Sequence, residues 1–234
     1  RIILNHFNFV DGSDLLMIFF QYRAVLTRFA LLVLSSVGLS LFTSYVFAAP
    51  VQGYVMLVQM TPAVCLLDTQ KSKKRKCLEG YSLNIAGLFP ETSESECKTA
   101  SSAALSPLQA KVVARVMPDE NARVQLWSAI GGCVPMNASQ YFRTVINYAE
   151  RLKVPAELTS PETRPMHIAN LRLRFLRLNP TLPVNAIKFN CSVSHGTPIL
   201  TEVKLCYKNN GQYKQCPATV ETNCPVSFII KGSY

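Results

Sequence analysis

The sequence predicts an α+β domain braced by disulfides, and two observations carry that prediction. First, a β-prone run, Tyr54-Val55-Met56-Leu57-Val58, precedes a middle region with helical periodicity, and further β-prone runs follow it at Ala186 to Cys191 and Ile199 to Tyr207. Strand, then helices, then strands is the order of an α+β fold, not of an alternating parallel sheet. Second, Cys residues stand at 65, 77, 97, 133, 191, 206, 216 and 224, and none of them forms a C-x-x-C pair. That spacing argues against a zinc ribbon or a dithiol redox pair and for disulfides formed in an oxidising compartment. Eight Cys allow 105 connectivities, so counting alone leaves the pairing open.

The elements follow in chain order. Gly53 to Gln59 alternates into an apolar run short enough to be a buried strand. A basic stretch, Lys71, Lys73, Lys74, Arg75 and Lys76, then lies between Cys65 and Cys77 and reads first as a solvated loop. Tyr81 to Ile85 has strand character, which Gly87 and Pro90 are expected to break. Ser106-Pro107 opens a helical pattern to about residue 116, with Ser106 as N-cap and Met117-Pro118 as the stop. Tyr141, Phe142, Val145, Ile146 and Tyr148 mark one face of a second helix that ends before Pro155. A third helix is expected from Met166 to Leu178, stopped by Asn179-Pro180. Lys208-Asn209-Asn210-Gly211 is a hairpin signal.

Composition narrows the class. The 234 residues are 49% hydrophobic and 16% charged, which excludes a disordered, collagen-like or coiled-coil chain. The net charge is +10, and only Arg1, Arg23, Arg28, Asp11 and Asp14 carry charge before residue 49, so the excess belongs to the remainder. A basic domain suits an anionic partner such as RNA or an acidic envelope polymer. From Met17 the chain reads as a secretory leader over residues 17–48, with Arg23 and Arg28 before an apolar run and Val46-Phe47-Ala48 at the exit. Cleavage before Ala49 is the expectation, and a retained membrane anchor is the alternative. Residues 1–16 precede the first Met and read as translation of an upstream frame, so the folded domain is expected over residues 49–234, in the periplasm or secreted.

With these elements placed, three segments resemble the T2 family of ribonucleases. Tyr54 to Pro62, followed by Cys65, is similar to the family's opening strand with its Gln-Trp-Pro motif and Cys. Ile85-Ala86-Gly87-Leu88-Phe89-Pro90 looks like its His-Gly-Leu-Trp-Pro segment. Gln125-Leu126-Trp127-Ser128-Ala129-Ile130-Gly131-Gly132-Cys133 stands where the family has His-Glu-Trp-x-Lys-His-Gly-x-Cys. Tyr141-Phe142 follows at the spacing of bacterial members, and the run from Ile187 through Cys191, Cys206, Cys216 and Cys224 is similar to the closing strands. The resemblance covers nearly all of residues 49–234. It implies a central antiparallel sheet with helices packed on it, and the pairs Cys65 with Cys77, Cys97 with Cys133, Cys191 with Cys224 and Cys206 with Cys216.

The same resemblance implies a chemistry that this chain lacks the groups to perform. The family transfers the RNA chain to its own 2′-hydroxyl, without metal or cofactor, using paired His residues for proton transfer and a Glu and a Lys beside them. Here Ala86 stands at the first His, Gln125 and Leu126 at the His-Glu pair, Ala129 at the Lys and Ile130 at the second His. Ala, Leu and Ile neither donate, accept nor carry charge. His167 and His195 lie outside the motif context, and structural or surface roles are expected for both. Phe89, Glu91 and Trp127 retain the residue types that hold a nucleobase in the family, though Phe89 and Trp127 also read as core residues. The expected outcome is a catalytically inactive, exported protein with a more apolar cleft, binding RNA, a nucleotide or a protein partner. The alternatives are an active endoribonuclease that brings His195 or part of Lys71 to Lys76 into the cleft, or a module for an anionic envelope polymer.

Overall fold

The computed structural model describes residues 51–233 apart from 69, 71 and 72. The expected leader, the upstream segment and Lys71 lie outside the described residues. Strands β1 (Gly53–Met60), β2 (Leu83–Glu91), β3 (Arg164–His167), β4 (Ile187–Ser194), β5 (Thr197–Tyr207) and β6 (Ser227–Ile230) form one sheet. The helices are α1 (Thr61–Leu67), α2 (Arg75–Leu78), α3 (Pro107–Val113), α4 (Glu120–Ile130), α5 (Ala138–Arg151) and α6 (Ile168–Leu178). The class is α+β, as the pattern predicted.

Strand β5 organises the sheet. Residues 202–207 pair antiparallel with β1 on one edge, while 197–205 pair antiparallel with β4. Ile199 pairs with Ser192 of β4 and with Ile229 of β6, so β6 continues along the β1 edge after β1 has ended. That last contact is parallel, which makes the sheet mixed where antiparallel pairing throughout was expected. β4 and β5 are joined by a two-residue turn in which His195 and Gly196 both have positive φ, the conformation whose twist matches the flanking strands.

One face of this sheet is the core. Tyr54, Met56 and Val58 of β1 alternate inward with Val203 and Leu205 of β5. Against them α5 lays Tyr141, Phe142, Val145 and Tyr148, and α6 lays Leu171 and Phe175. Each such side chain contributes roughly 1.5–3 kcal/mol by leaving water. A capping box between Asn137 and Gln140 starts α5, and the Ser106 hydroxyl accepts from the Gln109 N–H at 3.3 Å to start α3.

Several boundaries differ from the sequence expectation. β2 runs through Gly87 and Pro90, because it is an edge strand with β1 as its partner and Pro90 needs no outward ladder bond. The third helix begins at Ile168, since Arg164 to His167 pair with β6. α3 ends at Val113 instead of running to about 116. α1, with Pro62 in its first turn, α2 and α4 were not foreseen as helices.

All eight cysteines are bridged, as 65–77, 97–133, 191–224 and 206–216. This is the pairing the resemblance implied. Each closes a loop in the unfolded chain and contributes typically about 2–4 kcal/mol, the 97–133 loop more than the 206–216 loop.

Candidate functional site

The site forms where α4 crosses the end of the β1–β2 ladder. Register passes from Leu57 opposite Gly87 to Val58 opposite Ile85, so Ala86 is an extra residue in a β-bulge. A bulge re-aims the side chain it carries. Here it turns Ala86 into a cleft of about 220 Å³ shared with Gln59, Lys74, Lys76, Asp119 and Gln125.

The walls of this cleft are fixed by hydrogen bonds. Lys76 is buried and its Nζ donates to Gln59 Oε1 at 2.8 Å. Buried Asn84 accepts from the Thr61 hydroxyl at 3.1 Å and donates to the Ile85 carbonyl at 3.3 Å. On the other side, Arg123 of α4 donates through Nη1 to the carbonyls of Met117 at 2.6 Å and Pro118 at 3.4 Å, holding the loop that closes the cleft. Burial pulls the pKa of Arg123 below its ordinary value, and Glu120 opposes the shift. The Ile85 N–H donates to the Val116 carbonyl at 2.8 Å, tying the bulge to the same loop.

Four of the five positions that the resemblance aligns with catalytic groups lie on α4, and they separate by face. Gln125 and Ala129, one turn apart, are exposed, whereas Leu126 and Ile130 are buried with Trp127 in the core. Leu126 reaches Gly87 so closely that a Cβ there would lie 3.0 Å from Leu126 Cδ1 and 2.9 Å from the Phe89 ring. Helix and strand therefore meet at a glycine, and hydrocarbon fills the contact.

The other candidate residues are not gathered with Ala86. Trp127 donates Nε1–H to Ser101 Oγ at 3.0 Å and to the Ser101 carbonyl at 3.2 Å, and lines a separate cavity of about 510 Å³ under the 99–105 strap. Glu91 accepts from Lys214 Nζ at 2.5 Å at the far end of β2. Phe89 is half-buried against Gly87. His167 and His195 are exposed, and neither borders the cleft. Among the described residues no cluster of three or more His, Cys, Asp or Glu is placed to hold a metal.

The cleft is more polar than expected. The sequence predicts a solvated loop here, and Lys74 is exposed, but the Cys65–Cys77 bridge draws Lys76 against the end of β1. A cation one residue from a bridged Cys was the available signal.

No family model matches this sequence, and a search of curated proteins finds none that does. Solved structures do match. Ribonuclease MC1 from the seeds of bitter gourd aligns at TM-score 0.59 and 16% identity, over 75% of this chain and 98% of that one. A self-incompatibility SF11-RNase of Nicotiana alata aligns at 0.59 and 14%, over 77% and 98%. RNase NT in complex with 5′-AMP aligns at 0.59 and 17%, over 78% and 98%. The fold is thus that of the T2-family ribonucleases, braced by four disulfides.

Proposed function

We propose that this chain is an exported protein with a ribonuclease T2 fold that binds RNA or a nucleotide and does not cleave RNA by the paired-histidine route. The observation that carries the reading is the composition of the Ala86 cleft. Two lysines, three side-chain amides and one carboxylate, Asp119, line a space of about 220 Å³, with Ala86 where the resemblance puts an imidazole. Lysines and amides recognise phosphate oxygens and base edges. A positioned acid or base contributes about 10²–10⁴ in rate, so a cleft without the paired imidazoles binds far better than it turns over by that route. RNase MC1 and RNase NT have been crystallised with 5′-nucleotides, which supports nucleotide recognition on this fold. Four disulfides and the apolar leader support export, with the periplasm as the destination favoured by the leader's form.

A second reading, cleavage with non-standard groups, draws on the convergence of Lys74, Lys76 and Asp119 beside Ala86. One experiment separates the two. Oxidised protein is incubated with labelled homopolymer RNA from about pH 4 to pH 8 while binding is followed by fluorescence anisotropy. Binding that weakens with salt and in Lys74→Glu and Gln125→Glu, with no 2′,3′-cyclic phosphate released, is expected. Turnover at the level of ordinary T2 ribonucleases would establish the second reading instead. Equal affinity for RNA and for heparin, with no nucleotide preference, would replace RNA by an anionic envelope polymer as the ligand.

A further inference from the structure

The Ala86 cleft borders Gln59 near one end of β1. Near the other end, Tyr54 pairs with Tyr207, and Tyr207 borders a second cavity of about 620 Å³ that the cleft does not use. Five residues of strand separate the two ends, about 17 Å.

This second cavity has an aromatic wall and a cationic lip. Tyr148 of α5 lies 4.7 Å from Tyr207, and Tyr213 lies 5.0 Å from Tyr207, centroid to centroid, each pair tilted by 34°. Tyr148 and Tyr207 are buried, which leaves the half-buried Tyr213 as the ring that a ligand can reach. Arg151 and Lys153 stand exposed at the rim, Thr181 and Gln212 add hydrogen-bonding groups, and among the described residues no carboxylate lines the space.

The walls are held in place before any ligand arrives. Asn179 is buried, accepts from the Lys153 N–H at 3.0 Å and donates to the Lys153 carbonyl at 2.8 Å, which fixes the backbone under that cation. The Cys206–Cys216 bridge closes the segment that carries Tyr207 and Tyr213. Within it Lys208 N–H donates to the Gln212 carbonyl at 2.7 Å. Gly211, at φ 82°, lies so close to Tyr148 that a Cβ would meet the ring at 2.9 Å.

An accessible aromatic face beside two cations, on a rigid floor without opposing carboxylates, matches a planar ring joined to an anion. We propose that this cavity binds one nucleotide, its base against Tyr213 and its phosphate at Arg151 and Lys153. The ligand is a nucleoside monophosphate, either free or as one residue of a single-stranded RNA. A stacked base is worth about five- to a hundredfold in affinity. The site does not depend on the reading given to the Ala86 cleft.

The test is a titration of the oxidised, isotope-labelled protein with 5′-AMP, adenosine, inorganic phosphate and a short oligoadenylate, followed by amide shifts. Shifts with 5′-AMP are expected at Gly211, Gln212 and Lys153. Read at those three amides, the double variant R151E/K153E and the separate variant Tyr213→Leu should each weaken 5′-AMP about tenfold or more. R151E/K153E alters exposed side chains only, so its effect does not hinge on the folding of Tyr213→Leu. An oligoadenylate bound much more tightly than 5′-AMP, and weakened by R151E/K153E, identifies RNA as the source, while equal affinities identify the free nucleotide. Inorganic phosphate binding as tightly as 5′-AMP, or shifts confined to residues around Ala86, would overturn the proposal.

Discussion

Introducing the proton-transfer groups that the resemblance implies should cost this protein much of its stability. The perturbation is the quadruple variant A86H/L126E/A129K/I130H. Ala86 lies half-exposed at the bulge and Ala129 is exposed on α4, so their two changes should each stay within about 0.5 kcal/mol. Leu126 and Ile130 are each only 8% exposed and pack in the core, Leu126 directly on Gly87. Losing their apolar burial costs about 2–3 kcal/mol each, and enclosing a carboxyl and an imidazole without designed partners adds about 1–3 kcal/mol. Together that is about 5–9 kcal/mol before coupling between neighbours one helical turn apart, against about 5–15 kcal/mol for a whole domain. Trp127, the only Trp, is buried beside Tyr141 and reports unfolding by its fluorescence. With a urea slope near 2 kcal/mol/M, the quadruple variant should melt about 2 M or more below the parent, while A86H/A129K should melt beside it. A quadruple variant with the parent's midpoint, or one that cleaves RNA efficiently, would refute the packing argument.

Three further outcomes follow from the geometry. Tyr141 both accepts from the Leu88 N–H at 3.0 Å and donates to the Leu88 carbonyl at 3.1 Å, so Tyr141→Phe should lower stability by about 2–3 kcal/mol in urea unfolding and speed amide exchange at Leu88. Desolvation raises the pKa of Tyr141 and Tyr207 far above the ordinary tyrosine value, and Tyr54, Tyr148 and Tyr213 shift the same way. Above about pH 10 the unfolded chain releases phenolic protons that the folded chain keeps. Stability is therefore full below that pH and lost above it, at up to about 1.4 kcal/mol per pH unit for each such tyrosine, and a urea midpoint unchanged between pH 9 and about pH 11 would contradict this. Gly211→Ala forces a side chain into a left-handed turn against Tyr148, so it should cost about 1–2 kcal/mol and weaken 5′-AMP at the second cavity in the same titration.

What the sequence discloses depends on whether a feature is local. The helix over Ala138–Arg151 is legible because its apolar residues recur on one face and Asn137 and Gln140 form its cap within four residues. α4 is not, because Leu126, Trp127 and Ile130 form too short an apolar stripe beside Arg123 and Glu120. The bulge at Ala86 is a mismatch between two strands, and neither strand records it alone. Pro90 misled for the same reason: its effect depends on whether the strand is an edge. At the cleft, the absence of His at 86 and 130 is plain from the residues, but the inward turn of Lys76 depends on which Cys partners Cys77. The tyrosine wall joins residues 148, 207 and 213, whose approach is set by α5 packing on β5 and by the 206–216 bridge.

The division of α4 into two faces bears directly on the proposed binding without paired-histidine cleavage. On the face toward Gly87, charged groups would need partners or water, and hydrocarbon at 126 and 130 removes that requirement while improving packing. On the face toward the cleft, Gln125 beside Lys74 and Lys76 carries no such burden, because solvent reaches the cleft and polar side chains there cost little. Substitution at the buried positions therefore acts on packing, whereas side chains lining the cleft can change independently. Binding of a phosphate needs only the cationic wall of the cleft, and cleavage needs both faces.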